Sequence, residues 1–259
     1  MVILELKGLS KYYGGVRALE NIDIRIERGL IVGLIGPNGA GKTTLFSCIS
    51  GIHRPDSGTI TFGDYKDSLV GLAPHEITRR GIGRTFQNIR LFANMSVEEN
   101  VMVGAHSRTK AALVGAVARW GWVREEEKKI RDFAHELLRI VGLAGYAREL
   151  AQNLPYGYQR RLEVARALAT EPELLLLDEP TAGMNPSEKK NMLELIENIR
   201  KQGITILLIE HDMKVVMPIS ERVIVLDYGI KIAEGKPQDI QKDERVIEAY
   251  LGRPQNAKA

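Results

Sequence analysis

Gly36-Pro-Asn-Gly-Ala-Gly-Lys-Thr-Thr44 stands between an apolar run at 30–35, which reads as a buried strand, and Leu45-Phe-Ser-Cys-Ile49, whose spacing suits a helix packed on a sheet. The order is strand, glycine-rich loop, helix. Several crowded negative charges are held best by a concave array of backbone N–H groups at the positive end of a helix dipole, and glycines let that backbone come close. Gly36 and Gly41 frame the loop, Lys42 reaches the β- and γ-phosphates, and the Thr43 hydroxyl is placed for Mg2+. The phosphate-binding set is therefore Gly36, Pro37, Asn38, Gly39, Ala40, Gly41, Lys42, Thr43 and Thr44. A glycine-rich turn that only caps a helix does not explain Lys42-Thr43 behind it, so the stretch predicts binding of a nucleoside triphosphate, ATP first.

Upstream, Ile3-Leu-Glu-Leu6 and Ile22-Asp-Ile-Arg-Ile26 alternate as half-buried strands bracketing a turn at Gly14-Gly15. The amino-terminal strand is expected at a sheet edge. Downstream, Pro55-Asp-Ser-Gly58 signals a turn before a strand at 59–62. From 92 to 169 the periodicity turns helical: Ser96-Val-Glu-Glu99 reads as a capping box, and Ile130, Phe133, Leu137, Leu138 and Val141 share one face opposite a charged one. Strand signals return at 174–177 and 204–209, and a hairpin over 223–233 turns at Asp227-Tyr-Gly229. The expected fold is a single α/β domain: a P-loop NTPase core of mixed sheet together with an amino-terminal antiparallel β part, both within 1–91 and 170–259, and an inserted helical subdomain (92–169).

Composition narrows the class. The 259 residues are 44% apolar, enough for a packed core, and a net charge of +3 is too mild for a nucleic-acid binder, so none is expected as partner. The single cysteine, Cys48, rules out an internal disulfide and is expected to pack as a small apolar residue. The start of the chain meets charge too early for a signal peptide. The apolar run at 111–123, broken by Arg119, falls short of the roughly 20 residues that span a bilayer. A soluble protein that docks on a membrane partner is the expectation.

A phosphate loop alone is common to kinases, GTPases and ATPases. The second signal is Asp178-Glu179-Pro180 at the end of the leucine run. There an acidic residue can hold Mg2+, and its neighbour can orient or deprotonate the attacking water. These residues together resemble the ATP-binding subunits of ABC transporters, over nearly the whole chain. The resemblance implies that Tyr13 stacks on adenine, that Asp178 is a magnesium ligand with Thr43, and that Glu179 is catalytic. It also implies that Gln87, in Gly83-Arg-Thr-Phe-Gln87, touches Mg2+ and senses the membrane subunit, and that His211, in Ile209-Glu-His-Asp212, is the switch histidine near the γ-phosphate.

The family's Leu-Ser-Gly-Gly-Gln segment aligns with Leu154-Pro-Tyr-Gly-Tyr158, so Tyr156, Gly157 and Tyr158 are expected to meet the nucleotide of a second subunit in a head-to-tail dimer. Pro155 replaces the serine and has no donor. One hydrogen bond to a charged phosphate is worth roughly 1.5–3 kcal/mol, a loss that backbone donors of Tyr156 and Gly157 are expected to offset in part. Asn185, in Ala182-Gly-Met-Asn185, stands where the family commonly has aspartate and is expected to make the cross-dimer contact without charge.

Arg84-Thr-Phe-Gln-Asn-Ile-Arg-Leu-Phe92, the long segment 106–124, Ala182-Gly-Met-Asn-Pro186 and Glu248-Ala-Tyr-Leu-Gly252 look like the subunits that serve branched-chain amino acid (Liv-type) uptake. That likeness implies a homo- or heterodimer with a second nucleotide-binding subunit and separate transmembrane permease chains. It further implies, indirectly, a periplasmic or extracellular solute-binding protein, and a peripheral place on the cytoplasmic face of the cell membrane. A urea or amide importer has nearly the same pattern. A soluble ABC ATPase of an iron–sulfur-type assembly is the reading from another class.

Overall fold

Strands at 31–35, 174–178 and 205–209 are buried at every position, as parallel strands covered on both faces must be. The computed structural model of the chain describes residues 1–64, 68–106 and 121–251. In order its elements are β1 (Val2–Tyr13), β2 (Val16–Glu27), β3 (Ile31–Ile35), α1 (Lys42–Ile49), β4 (Ser57–Phe62), α2 (Pro74–Arg79), β5 (Ile82–Arg84), α3 (Val97–His106), α4 (Gly121–Ile140) and α5 (Tyr156–Leu168). There follow β6 (Leu174–Asp178), α6 (Pro186–Lys201), β7 (Thr205–Ile209), α7 (Met213–Ile219), β8 (Arg222–Asp227), β9 (Ile230–Gly235), α8 (Pro237–Ile240) and α9 (Glu244–Leu251).

Two sheets form. One is antiparallel, in the order β2-β1-β4; the other runs β5-β6-β7-β3-β8-β9, parallel except that β9 returns antiparallel to β8. The expected mixed α/β architecture is present. One expectation is corrected: β1 is the central strand of its sheet, paired with β2 and β4, and not an edge. Alternation reports which face of a strand is buried, whereas the β4 partner returns only after α1, a pairing that local pattern does not carry.

The period of two sorts the large sheet's side chains between two cores. Leu175, Leu177, Ile206 and Leu208 face α3, α4, α5 and α6, while Leu174, Leu176, Leu207, Val32 and Leu34 face α1 and the antiparallel sheet. The stretch expected as the helical insertion thus carries α3 to α5, whose apolar faces share a core with one face of the sheet. Ser96 begins α3 with the predicted capping box: its hydroxyl accepts from the Glu99 amide at 3.2 Å, and the Glu99 carboxylate accepts from the Ser96 amide at 2.7 Å. The predicted hairpin is β8–β9, turning through Tyr228 and Gly229, both at positive φ. Cys48 is buried, and burial pushes its thiol up to about 11, as an apolar packing role requires.

Among the described residues no helix is long and apolar enough to cross a membrane. Most of the apolar run at 111–123, and Gly252, lie outside the described residues.

Candidate functional site

Strands β5, β6, β7 and β3 are neighbours and run parallel, so their carboxyl ends meet along one sheet edge. That edge is where open α/β sheets present ligand sites. The segments leaving it carry Gln87 after β5, Asp178 and Glu179 at β6, Glu210 and His211 after β7, and the glycine loop after β3. Residues more than a hundred positions apart in the chain are thereby set side by side.

The loop is built around missing side chains. At Gly36 a Cβ would stand 2.1 Å from the carbonyl oxygen of Leu226, and at Gly41, with φ 99°, it would stand 2.4 Å from that of Ala18. Gly41 is also the cap of α1 and provides no side-chain acceptor, which leaves the first-turn amides of the helix facing outward. The Lys42 ammonium donates to the carbonyl oxygens of Gly36 at 2.7 Å and Pro37 at 2.9 Å, which holds it across the mouth of the loop. Burial pushes the Lys42 pKa down, while Glu179 and Asp178 oppose that shift.

A cleft of about 260 Å³ opens over this loop and is lined by Gly39, Lys42, Thr43, Thr44, Gln87 and Glu179 among others. The structure therefore brings the loop, Gln87 and Glu179 to one cavity. Glu179 sits at φ 48°, a left-handed conformation that is uncommon and strained for a residue with a side chain. Its amide donates to Ile209 O at 3.0 Å, its Oε2 accepts from Gln87 Nε2 at 3.3 Å, and its Oε1 lies 3.7 Å from His211 Nδ1.

Asp178 is buried. Its Oδ2 accepts from Arg84 at 3.2 Å, and its Oδ1 accepts no hydrogen bond among the described residues. Burial pushes its pKa up against the attraction of Arg84. Among the described residues no three His, Cys, Asp or Glu side chains converge to hold a metal ion by themselves. An orphaned aspartate oxygen, with the hydroxyl of Thr43 in the first turn of α1, is the sparse oxygen set that suits Mg2+, whose remaining ligands are phosphates and water.

The remaining expected residues lie apart from the cleft lining. Tyr13 ends β1 with its ring edge-on to His53 at 5.6 Å. From the same hairpin, Val16, Arg17 and Ala18 do line the cleft. Tyr156 and Gly157 open α5 behind Pro155, again without a side-chain cap. Tyr156 is half exposed, Gly157 packs against Glu188, and Tyr158 meets the Tyr146 ring edge-on at 5.2 Å. Asn185 caps α6, its side-chain oxygen accepting from the Glu188 amide at 3.0 Å.

Sequence reasoning missed Arg160 and Glu163. Arg160 donates to the carbonyls of Phe86 at 2.9 Å and Gln87 at 2.5 Å, and Glu163 accepts from the Phe86 amide at 3.2 Å. The start of α5 is thereby clamped to the segment that carries Gln87. The signal was present as two charges on the buried side of an otherwise apolar helix face. Beside this clamp a groove of about 600 Å³ runs between α2 and β5 on one side and α3 and α5 on the other, with Phe86, Phe92, Arg90 and Arg166 in its walls.

A glycine loop between a central parallel strand and a helix, with acidic residues at the end of the parallel strand next but one, defines a P-loop nucleoside triphosphatase. Residues 19–182 match the family described as ABC transporter, and residues 231–255 match the family described as branched-chain amino acid ATP-binding cassette transporter. The chain is 45% identical over 251 residues to the high-affinity branched-chain amino acid transport ATP-binding protein LivG of Salmonella typhimurium, covering 96% of this chain and 98% of that one. Its fold is similar to the crystal structure of a nucleotide-free ATP-binding cassette from an ABC transporter, with TM-score 0.85 at 30% identity over 97% and 100% of the two chains. It is also similar to a dimeric cassette in a post-hydrolysis state bound to ADP and Pi, with TM-score 0.77 at 27% identity over 91% and 99%. The chain belongs to the ABC transporter family, as an ATP-binding subunit that hydrolyses ATP.

Proposed function

We propose that this subunit energises uptake of branched-chain amino acids. The observation that carries the reading is the 45% identity to a branched-chain amino acid transport protein along almost the whole of both chains. The separate match at residues 231–255 supports it.

In this reading the loop amides, Lys42 and the dipole of α1 hold the β- and γ-phosphates, with Tyr13 against the adenine. Thr43, Asp178 and Gln87 hold Mg2+, which supplies charge neutralisation on the phosphates. Glu179 accepts the proton of the attacking water, and its strained backbone aims the carboxylate across the cleft toward Gln87. His211 contacts the terminal phosphate. Tyr156, Gly157 and Tyr158 present the uncapped start of α5 to the nucleotide of a second subunit, identical or not, with Asn185 beside the junction. Residues 92–169 act as the unit that moves against 1–91 and 170–259, and the Arg160 clamp makes Gln87 follow that motion.

The permease chains dock at the cytoplasmic face of the membrane, in the groove beside Gln87, where aromatic walls and two arginines suit an amphipathic segment. A solute-binding protein outside the membrane delivers the amino acid and does not touch this chain. Co-purification of the tagged protein from detergent-solubilised membranes tests the reading. Recovery of two polytopic chains, with ATPase activity stimulated by leucine and its binding protein in the reconstituted complex, is expected. Soluble partners alone would refute it.

A further inference from the structure

Glu210 follows the last residue of β7 and is completely buried. Its Oε1 is fully engaged, accepting from the Thr181 amide at 3.0 Å and the Thr181 hydroxyl at 2.6 Å. Its Oε2 is equally buried and accepts no hydrogen bond among the described residues. His211 Nδ1 lies 3.9 Å from Oε2 and 3.7 Å from Oε1 of Glu179. One ring nitrogen therefore stands between two carboxylates, one deep and one on the cleft.

A carboxylate oxygen buried without a donor is costly, and a hydrogen bond forms once the imidazole moves about 1 Å toward it. Tying β6 to β7 through Thr181 uses only Oε1, and an amide oxygen would accept the same two bonds. The unpartnered second oxygen needs another explanation.

We infer that Glu210 is the positioning residue for His211: its Oε2 draws Nδ1–H away from Glu179, turning Nε2 to the terminal phosphate and leaving Glu179 free for water. This rests on the placing of His211 against that phosphate given above. In the charged ring both nitrogens are donors, so Glu210 on one side and phosphate on the other satisfy it completely. The ring is exposed enough to make the move, with 61% of its side-chain surface accessible.

Glu210→Gln keeps the shape and the Thr181 bonds and removes the acceptor. It is expected to lower kcat roughly tenfold, with KM for ATP within about twofold of the parent and the thermal midpoint unchanged. In a His211→Ala background the same change is expected to cost nothing further, because Glu210 acts through the ring. An equal loss in both backgrounds, or full kcat in Glu210→Gln while His211→Ala is impaired, overturns the inference. Full activity in His211→Ala overturns the reading of His211 beneath it, a separate result. Nitrogen-15 spectra of the unsubstituted, nucleotide-free protein give a readout independent of turnover and of any variant's folding. Nδ1 protonated and hydrogen-bonded is expected, and a bare Nδ1 overturns the inference.

Discussion

Helices α1 and α5 both begin without a side-chain cap, whereas α3, α6 and α7 start on Ser96, Asn185 and Asp212, each with a side-chain oxygen on a first-turn amide. The short α2 and α8 also lack a side-chain cap, and the ends of α1 and α5 differ in what surrounds them. Around α1 the chain completes a cleft from its own strands, with Lys42, Gln87 and Glu179 in the walls. At α5, Tyr156 and Pro155 are exposed, and its neighbours are the turn at Gly183 and the Glu188 carboxylate. An uncapped amino end leaves amides that require an acceptor. Under the proposed function, one chain supplies a nearly whole phosphate site at α1 and a bare half-site at α5.

The largest expected effect falls on the complete half. Lys42→Ala removes a buried ammonium whose phosphate bonds are worth about 1.5–3 kcal/mol each, so two such bonds weaken ATP binding by roughly 10²- to 10⁴-fold. Titration with a fluorescent ATP analogue measures it, and binding within tenfold of the parent would break the assignment of α1. Next comes the half-site. In Gly157→Asp the new side chain begins where a Cβ meets Glu188 Oε1 at 3.0 Å, and it sets a carboxylate toward the phosphate of the second subunit. Like-charge contacts cost several kcal/mol, so hydrolysis should fall about 10²-fold, while ATP binding to the isolated chain stays within about twofold. If both fall together, the two helix ends are not separable. The smallest change is a gain: Pro155→Ser restores a hydroxyl donor at the α5 cap and should tighten ATP-driven association up to about tenfold. No change would mean that the Tyr156 and Gly157 amides already suffice.

The same contrast governs how much could be read from the chain alone. The loop, the Ser96 capping box and the β8–β9 hairpin were legible because their marks lie within nine residues or fewer: the glycine, lysine and threonine pattern at 36–44, a hydroxyl three positions from its amide, a turn at Tyr228-Gly229. The central place of β1 was not, since its second partner arrives after α1, nor was the three-residue β5 that delivers Gln87. Arg84 on Asp178 and Arg160 on the Gln87 carbonyl span 94 and 73 positions, and no local spacing announces such pairs. The identities of Asp178, Glu179 and His211 could be read, and their distances could not. Tyr13 marks the limit: its residue type suits adenine, but Val16 and Arg17 are the hairpin residues that reach the cleft.

The central claim is that the start of α5 finishes the site of a second subunit. Sedimentation of Glu179→Gln with Mg2+ and ATP tests it most directly, because the proposed role of Glu179 has that variant bind nucleotide without hydrolysing it. The account predicts a monomer without ATP, a dimer with it, and a return to monomer when Gly157→Asp is added. A Glu179→Gln chain saturated with ATP yet monomeric at every concentration would contradict it.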